Sequence, residues 1–174
     1  ATFEQIKLLK PKSIFVGDVF DGSSISHHNE HNIYAKHKLP KHLNTLENEL
    51  HTYAKELELY QKEFPDLEVN LVMGNHEEHL TRYLREARYA QDIVSNHYLA
   101  LDLTKDMLDG KNPIEEWTLK HYPHLRKNVK WLDSSASIKV DNITMSVHGH
   151  KGHSGSRGSL TGMEVSYGKS NTGH

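Results

Sequence analysis

The chain has 174 residues, enough for one domain with a substantial core. Its net charge is −2, with no acidic or basic tail, so it is not a polyelectrolyte that binds nucleic acid by bulk charge. The absence of cysteine excludes disulfides and thiolate metal sites and suits a reducing compartment, read as the cytoplasm; no apolar run approaches the ~18 residues of a membrane span, and no secretory signal is visible.

In chain order, residues 3–10 predict a short helix closed by Pro11. "SIFVG" (13–17) is short, apolar and ends in Gly, which predicts a buried strand. A polar loop follows over 18–32. Residues 41–64 predict a helix, since Leu43, Leu46, Leu50, Tyr53, Leu57, Tyr60 and Phe64 recur at three and four and form one apolar stripe. That stripe suits a core-facing helix better than a dimer seam, because about three heptads is short for a coiled coil; a homodimer is the alternative. "LEVNLVMG" (67–74) predicts the next strand, 77–108 one long helix or two shorter ones, and 114–122 another helix. "SASIKV" and "ITMSVHG" around Asp141-Asn142 predict a hairpin. The Gly- and Ser-rich text from 149 to 162 predicts a loop. Strands alternate with helices early and a hairpin comes late, so the expected class is α/β with mixed sheets, in a single domain over 1–174 with helical segments at about 41–64 and 77–122. The text at Ala1 and at His174 reads as part of a longer protein.

Three places share one pattern: an apolar strand ends beside a glycine, and polar ligand-type residues appear at once. They are "IFVGDVFDG", "LVMGNHEEH" and "MSVHGHKG"; a fourth, "KSNTGH", ends the chain. Strand ends are where open α/β sheets place their sites, and Asp, Asn and His suit Mn, Fe, Zn or Mg rather than soft metals. The 15 histidines leave room for such a centre.

The ordered set Gly17-Asp18-Val19-Phe20-Asp21, Gly74-Asn75-His76-Glu77, His148-Gly149 and Gly173-His174 resembles the calcineurin-like metallophosphoesterases, and "HGHKGHSGSRGS" with "YGKSNTGH" resembles their phage-type branch of nucleases and phosphoesterases. The resemblance implies a layered sandwich of mixed β-sheets flanked by helices, and two divalent metal ions, Mn foremost with Fe, Zn or Mg as alternatives. It makes Asp18 the carboxylate bridging both metals, and Asn75, His148 and His174 the remaining ligands of one. It makes His76 the substrate-facing catalytic group and Asp21 the carboxylate that orients it. The family's Asp-x-His motif, and its second His after the final Gly-His, are not in the 174 residues, so one metal's shell is incomplete in this chain. The implied reaction is hydrolysis of a phosphodiester by a metal-bridging hydroxide, with nucleic acid, most of all DNA, as substrate and no membrane partner. The alternatives are a small-molecule or protein phosphatase, or a non-catalytic binding module on the same fold.

Other readings compete at single residues. Asp18 and Asp21 also suit turns, and Asn75 suits a helix N-cap. His150 rivals His148 but, like His153, suits a loop near the site, and His27 and His28 suit the rim of a cleft or an ordinary surface. Arg157 suits a phosphate fork or a solvated loop. Lys120, His121, His124, Arg126, Lys127 and Lys130 form the best basic patch, in place to contact a nucleic-acid backbone or simply to be solvated.

Overall fold

The computed structural model describes residues 3–27, 33–92, 96–133, 136–151 and 158–172. At its centre lies a parallel sheet of β1 (Ser13–Gly17), β2 (Glu68–Val72) and β3 (Val129–Trp131), in that order. Val69, Leu71 and Val72 of the middle strand are all buried, as expected of a strand covered on both faces. The register pairs Ser13 with Glu68 and Gly17 with Val72, so β1 and β2 end level. Asp18 and Gly74 therefore leave the sheet at the same edge, which brings together two motifs far apart in sequence.

Helix α1 (Phe3–Leu9) precedes β1, and α2 (Ile33–Lys38) and α3 (Leu46–Glu63) lie between β1 and β2. Thr45 caps α3 by accepting from the backbone N–H of Asn48 at 3.2 Å. The stripe Leu46, Leu50, Tyr53, Leu57 and Tyr60 is buried against the sheet and the loop after β1, as a core-facing helix requires. Phe20 meets Tyr53 edge-on at 6.4 Å, and Trp131 donates its indole N–H to the Tyr53 hydroxyl at 2.8 Å. The helices α4 (Asn75–Arg85), α5 (His97–Leu108) and α6 (Pro113–His121) follow β2. A hairpin of β4 (Lys139–Val140) and β5 (Ile143–Thr144) turns at Asp141 and Asn142, both with positive φ, and α7 (Leu160–Tyr167) comes last. The chain is thus mixed α/β, with a parallel and an antiparallel sheet and packed helices. Among the described residues, no helix is long and apolar enough to cross a membrane.

Several boundaries differ from the sequence expectation. The helix expected from 41 begins at Leu46. The segment 77–108 takes the second of its two expected forms, two shorter helices, parted by Ala87 in a left-handed turn and a 3-10 turn at Arg88–Gln91. Long-range bonds hold that break: Tyr83 and Asn96 both donate to Asp92 Oδ2, and Asn96 Oδ1 accepts from the N–H of Leu46. The strand β3 was not expected; it is three residues long, and pairing with β2 sustains it. The loop expected to 162 ends sooner, because the Ser159 hydroxyl accepts from the N–H of Gly162 and starts α7 at Leu160.

Candidate metal centre

Asp18 follows directly on β1 with φ +54, a left-handed conformation that Asp tolerates better than most residues and that clusters at functional sites. Its Oδ1 accepts from the backbone N–H of His76 at 3.3 Å, which sets the carboxylate against the N-terminus of α4. Its Oδ2 lies 2.9 Å from Nε2 of His148. Asn75, the first residue of α4, places Oδ1 3.2 Å from the same nitrogen. His148 itself is 4 % exposed. Three side chains from three separate segments thus point their polar atoms at one spot beyond the sheet edge.

Two glycines make room for this convergence. A Cβ on Gly74 would lie 2.2 Å from Asp18 Oδ1, and one on Gly17 would lie 2.7 Å from Nδ1 of His148. Neither contact is possible for a real methyl group, so both positions need a residue without a side chain.

Glu77 fixes the backbone around the site. Its Oε1 accepts from the N–H groups of Val19 and Phe20 at 3.1 and 3.3 Å, and its Oε2 from that of Gly74 at 3.0 Å. One carboxylate therefore joins the turn after β1 to the start of α4. Burial pushes its pKa up, and bonds from Phe20 and Gly74 counter this in part. The sequence reading gave Glu77 no separate role. The available signal was its position three residues after Gly74, where a capping side chain reaches back to the N-cap. That N-cap is Gly74, so Asn75 is not the cap, and its side chain is directed to His148 instead.

The donor set suits a hard or borderline divalent cation. Asp18 and Asn75 offer oxygen lone pairs, and a neutral imidazole has at most one hydrogen on Nε2 to share between them. A cation would satisfy all three atoms. Their separations of 2.9 and 3.2 Å also match the edge of a coordination shell, about 3.0 Å for bonds of about 2.1 Å at right angles. Among the described residues no three His, Cys, Asp or Glu side chains surround one point; Asp18 and His148 are two such residues, and the third donor is an amide. His174 lies outside the described residues, as do His28, His153 and Arg157.

The other candidates are placed around this centre. The ring of His76 stacks on that of His79, with centroids 5.4 Å apart and planes 16° from parallel. Asp21 Oδ1 accepts from the backbone N–H and the hydroxyl of Ser23. His150 Nε2 lies 3.2 Å from Glu78 Oε1, which also pairs with Lys151. Burial alone would raise the pKa of Glu78, but Lys151 and His150 outweigh it and bring the net shift down. His150 thus belongs to an ion-pair cluster beside the centre, while His148 is the histidine that meets Asp18. In the basic patch, His124 pairs with Glu58 and Lys130 with Glu68.

The sequence profile of the calcineurin-like phosphoesterases matches residues 1–170. Protein A1 of Escherichia phage T5 is 28% identical over 181 residues, covering 99% of this chain and 32% of that protein, so the chain spans about a third of its relative's length. No solved structure matches the chain significantly.

Proposed function

The chain belongs to the calcineurin-like phosphoesterase family, and from that premise we propose that it is a nuclease, hydrolysing phosphodiester bonds in DNA with manganese. Membership makes it a metal-dependent phosphoesterase and a hydrolase. The observation that carries the reading is the meeting of Asp18, Asn75 and His148 at the sheet edge.

In this reading those three residues would hold one divalent ion, with His174 as a further ligand, and Asp18 would also serve a second. The bound ions supply Lewis acidity for the phosphate and lower the pKa of water. Asp18 contributes the negative charge that offsets two cations. Glu77 keeps the backbones of Val19, Phe20 and Gly74 in place, so the ligands need no rearrangement when the ions bind. His76 faces the substrate and gives a proton to the leaving oxygen as water adds to phosphorus and the P–O bond breaks. The products are a phosphomonoester end and a free hydroxyl. The resemblance of the carboxyl-terminal text to phage-type nucleases supports DNA as substrate. The near-neutral charge favours the second reading, a phosphatase for small molecules or proteins.

The test is hydrolysis by the chelator-stripped protein with manganese added back. Single- and double-stranded DNA, bis(p-nitrophenyl) phosphate and p-nitrophenyl phosphate would be compared. Manganese-dependent cleavage of DNA and of the diester is expected. Hydrolysis confined to the monoester would replace the nuclease reading with the phosphatase one, and no hydrolysis of any substrate would leave a binding module.

A further inference from the structure

His76 is the second residue of α4, and His79 stands three places on, where side chains share a helix face. Their rings are nearly parallel at 5.4 Å. The loop after β1 comes close to His79: a Cβ on Gly22 would lie 3.6 Å from both Cβ and Nδ1 of His79. The ring of His27 meets His79 edge-on at 6.4 Å and 90°. His79 therefore packs beside Gly22 and His27, and its ring also meets that of His76. Asp21, by contrast, is engaged with Ser23.

We propose that His79 is a positioning residue, whose ring, packed beside Gly22 and His27, fixes the orientation in which His76 meets the leaving group of a phosphoester. This rests on the reading of His76 as the substrate-facing proton donor. A χ2 rotation of a histidine is broad and cheap, so the half-buried imidazole of His76 on the first turn of the helix still has more than one orientation open to it. A flat ring stacked on it selects one. Burial, followed by electrostatic repulsion from His76, Arg82, His27 and Arg88, pushes the pKa of His79 down, so it presents a neutral flat face near neutral pH. The chemistry needed at this position is a planar ring, and the charge and hydrogen bonds of imidazole are dispensable there.

The experiment compares His79→Ala, His79→Gln and His79→Phe with His76→Ala, using manganese and two aryl phosphodiesters, one with a good leaving group and one with a poor one. Misplacing a proton donor by about 1 Å costs on the order of 10²-fold in rate, and deleting it about 10²–10⁴-fold. His79→Ala and His79→Gln should lower kcat on the poor leaving group by roughly 10- to 100-fold, with KM and bound manganese unchanged and a smaller loss on the good leaving group. His79→Phe should restore kcat to within about threefold of wild type, since a stacked ring is kept. Should the alanine variant not fold, the contrast between the glutamine and phenylalanine variants decides. Equal loss in those two, or no loss in any His79 variant while His76→Ala collapses, would overturn the positioning role and leave His76 standing. Unchanged turnover in His76→Ala would overturn both.

Discussion

Replacing Glu77 by Gln tests whether one buried side chain holds the metal ligands in register. The carboxylate accepts three backbone N–H groups, two through Oε1 and one through Oε2. Gln keeps an oxygen for Val19 and Phe20 but turns an NH2 toward the N–H of Gly74. A buried donor left facing a donor costs about 1–3 kcal/mol. Loss of the negative charge offsets part of this, because burial pushes the carboxyl's pKa up. The net destabilisation should be about 1–2 kcal/mol. Ala removes both acceptor oxygens and with them all three bonds, two of them to buried N–H groups, for roughly 3–6 kcal/mol. That is a large share of the 5–15 kcal/mol typical of a folded domain, so Gln is the informative variant. Urea unfolding gives the stability, and calorimetric titration with manganese gives the affinity. Gly74 and the Val19–Phe20 turn flank Asn75 and Asp18, so affinity should fall by about 10- to 100-fold, as for changes in groups that orient metal ligands. If the variant unfolds at the wild-type urea concentration and binds manganese as tightly, the bonds of Glu77 do not hold this site together.

Gly74→Ala should abolish manganese binding while leaving a folded chain, since the new methyl would occupy the place of Asp18 Oδ1 at 2.2 Å; metal content by mass spectrometry and circular dichroism check both halves. Glu49 is buried against Ser24, and burial pushes its pKa up to about 7. Its folded value lies above the unfolded 4.5, so stability from this group is full below pH 4.5 and lost as pH rises through 7. Glu49→Gln should therefore gain about 1–3 kcal/mol on wild type at pH 8 and nothing at pH 4, as measured by urea unfolding across that range; a gap independent of pH would contradict the assignment. Removal of divalent ions with a chelator should lower the thermal midpoint by several degrees, and manganese should restore it as a ligand binding only the folded state does; scanning calorimetry with and without the metal is the check.

The sequence alone determined which segments are strand and helix wherever the pattern is strong. The stripe on α3, the apolar "SIFVG" and "LEVNLV", and the Asp141-Asn142 turn each carry a local periodicity or turn preference that needs no distant partner. The family was legible as well, because its motifs sit where strands end, and Asp18, Asn75, His76 and His148 could be named from that grammar. Tertiary structure decided the rest. The break between α4 and α5 has no glycine or proline to announce it; it exists because Asp92 and Asn96 bond to Tyr83 and Leu46. The strand β3 exists because β2 offers it an edge. His79 reads in sequence as an ordinary polar position of an amphipathic helix, and Glu77 as a motif residue with no role of its own. The three N–H groups around Glu77, and the loop beside His79, come from residues more than 50 positions upstream or from the helix start. Hydrogen-bond satisfaction and ring stacking are properties of assembled neighbours, and the parallel register of β1 with β2 is what makes those neighbours meet.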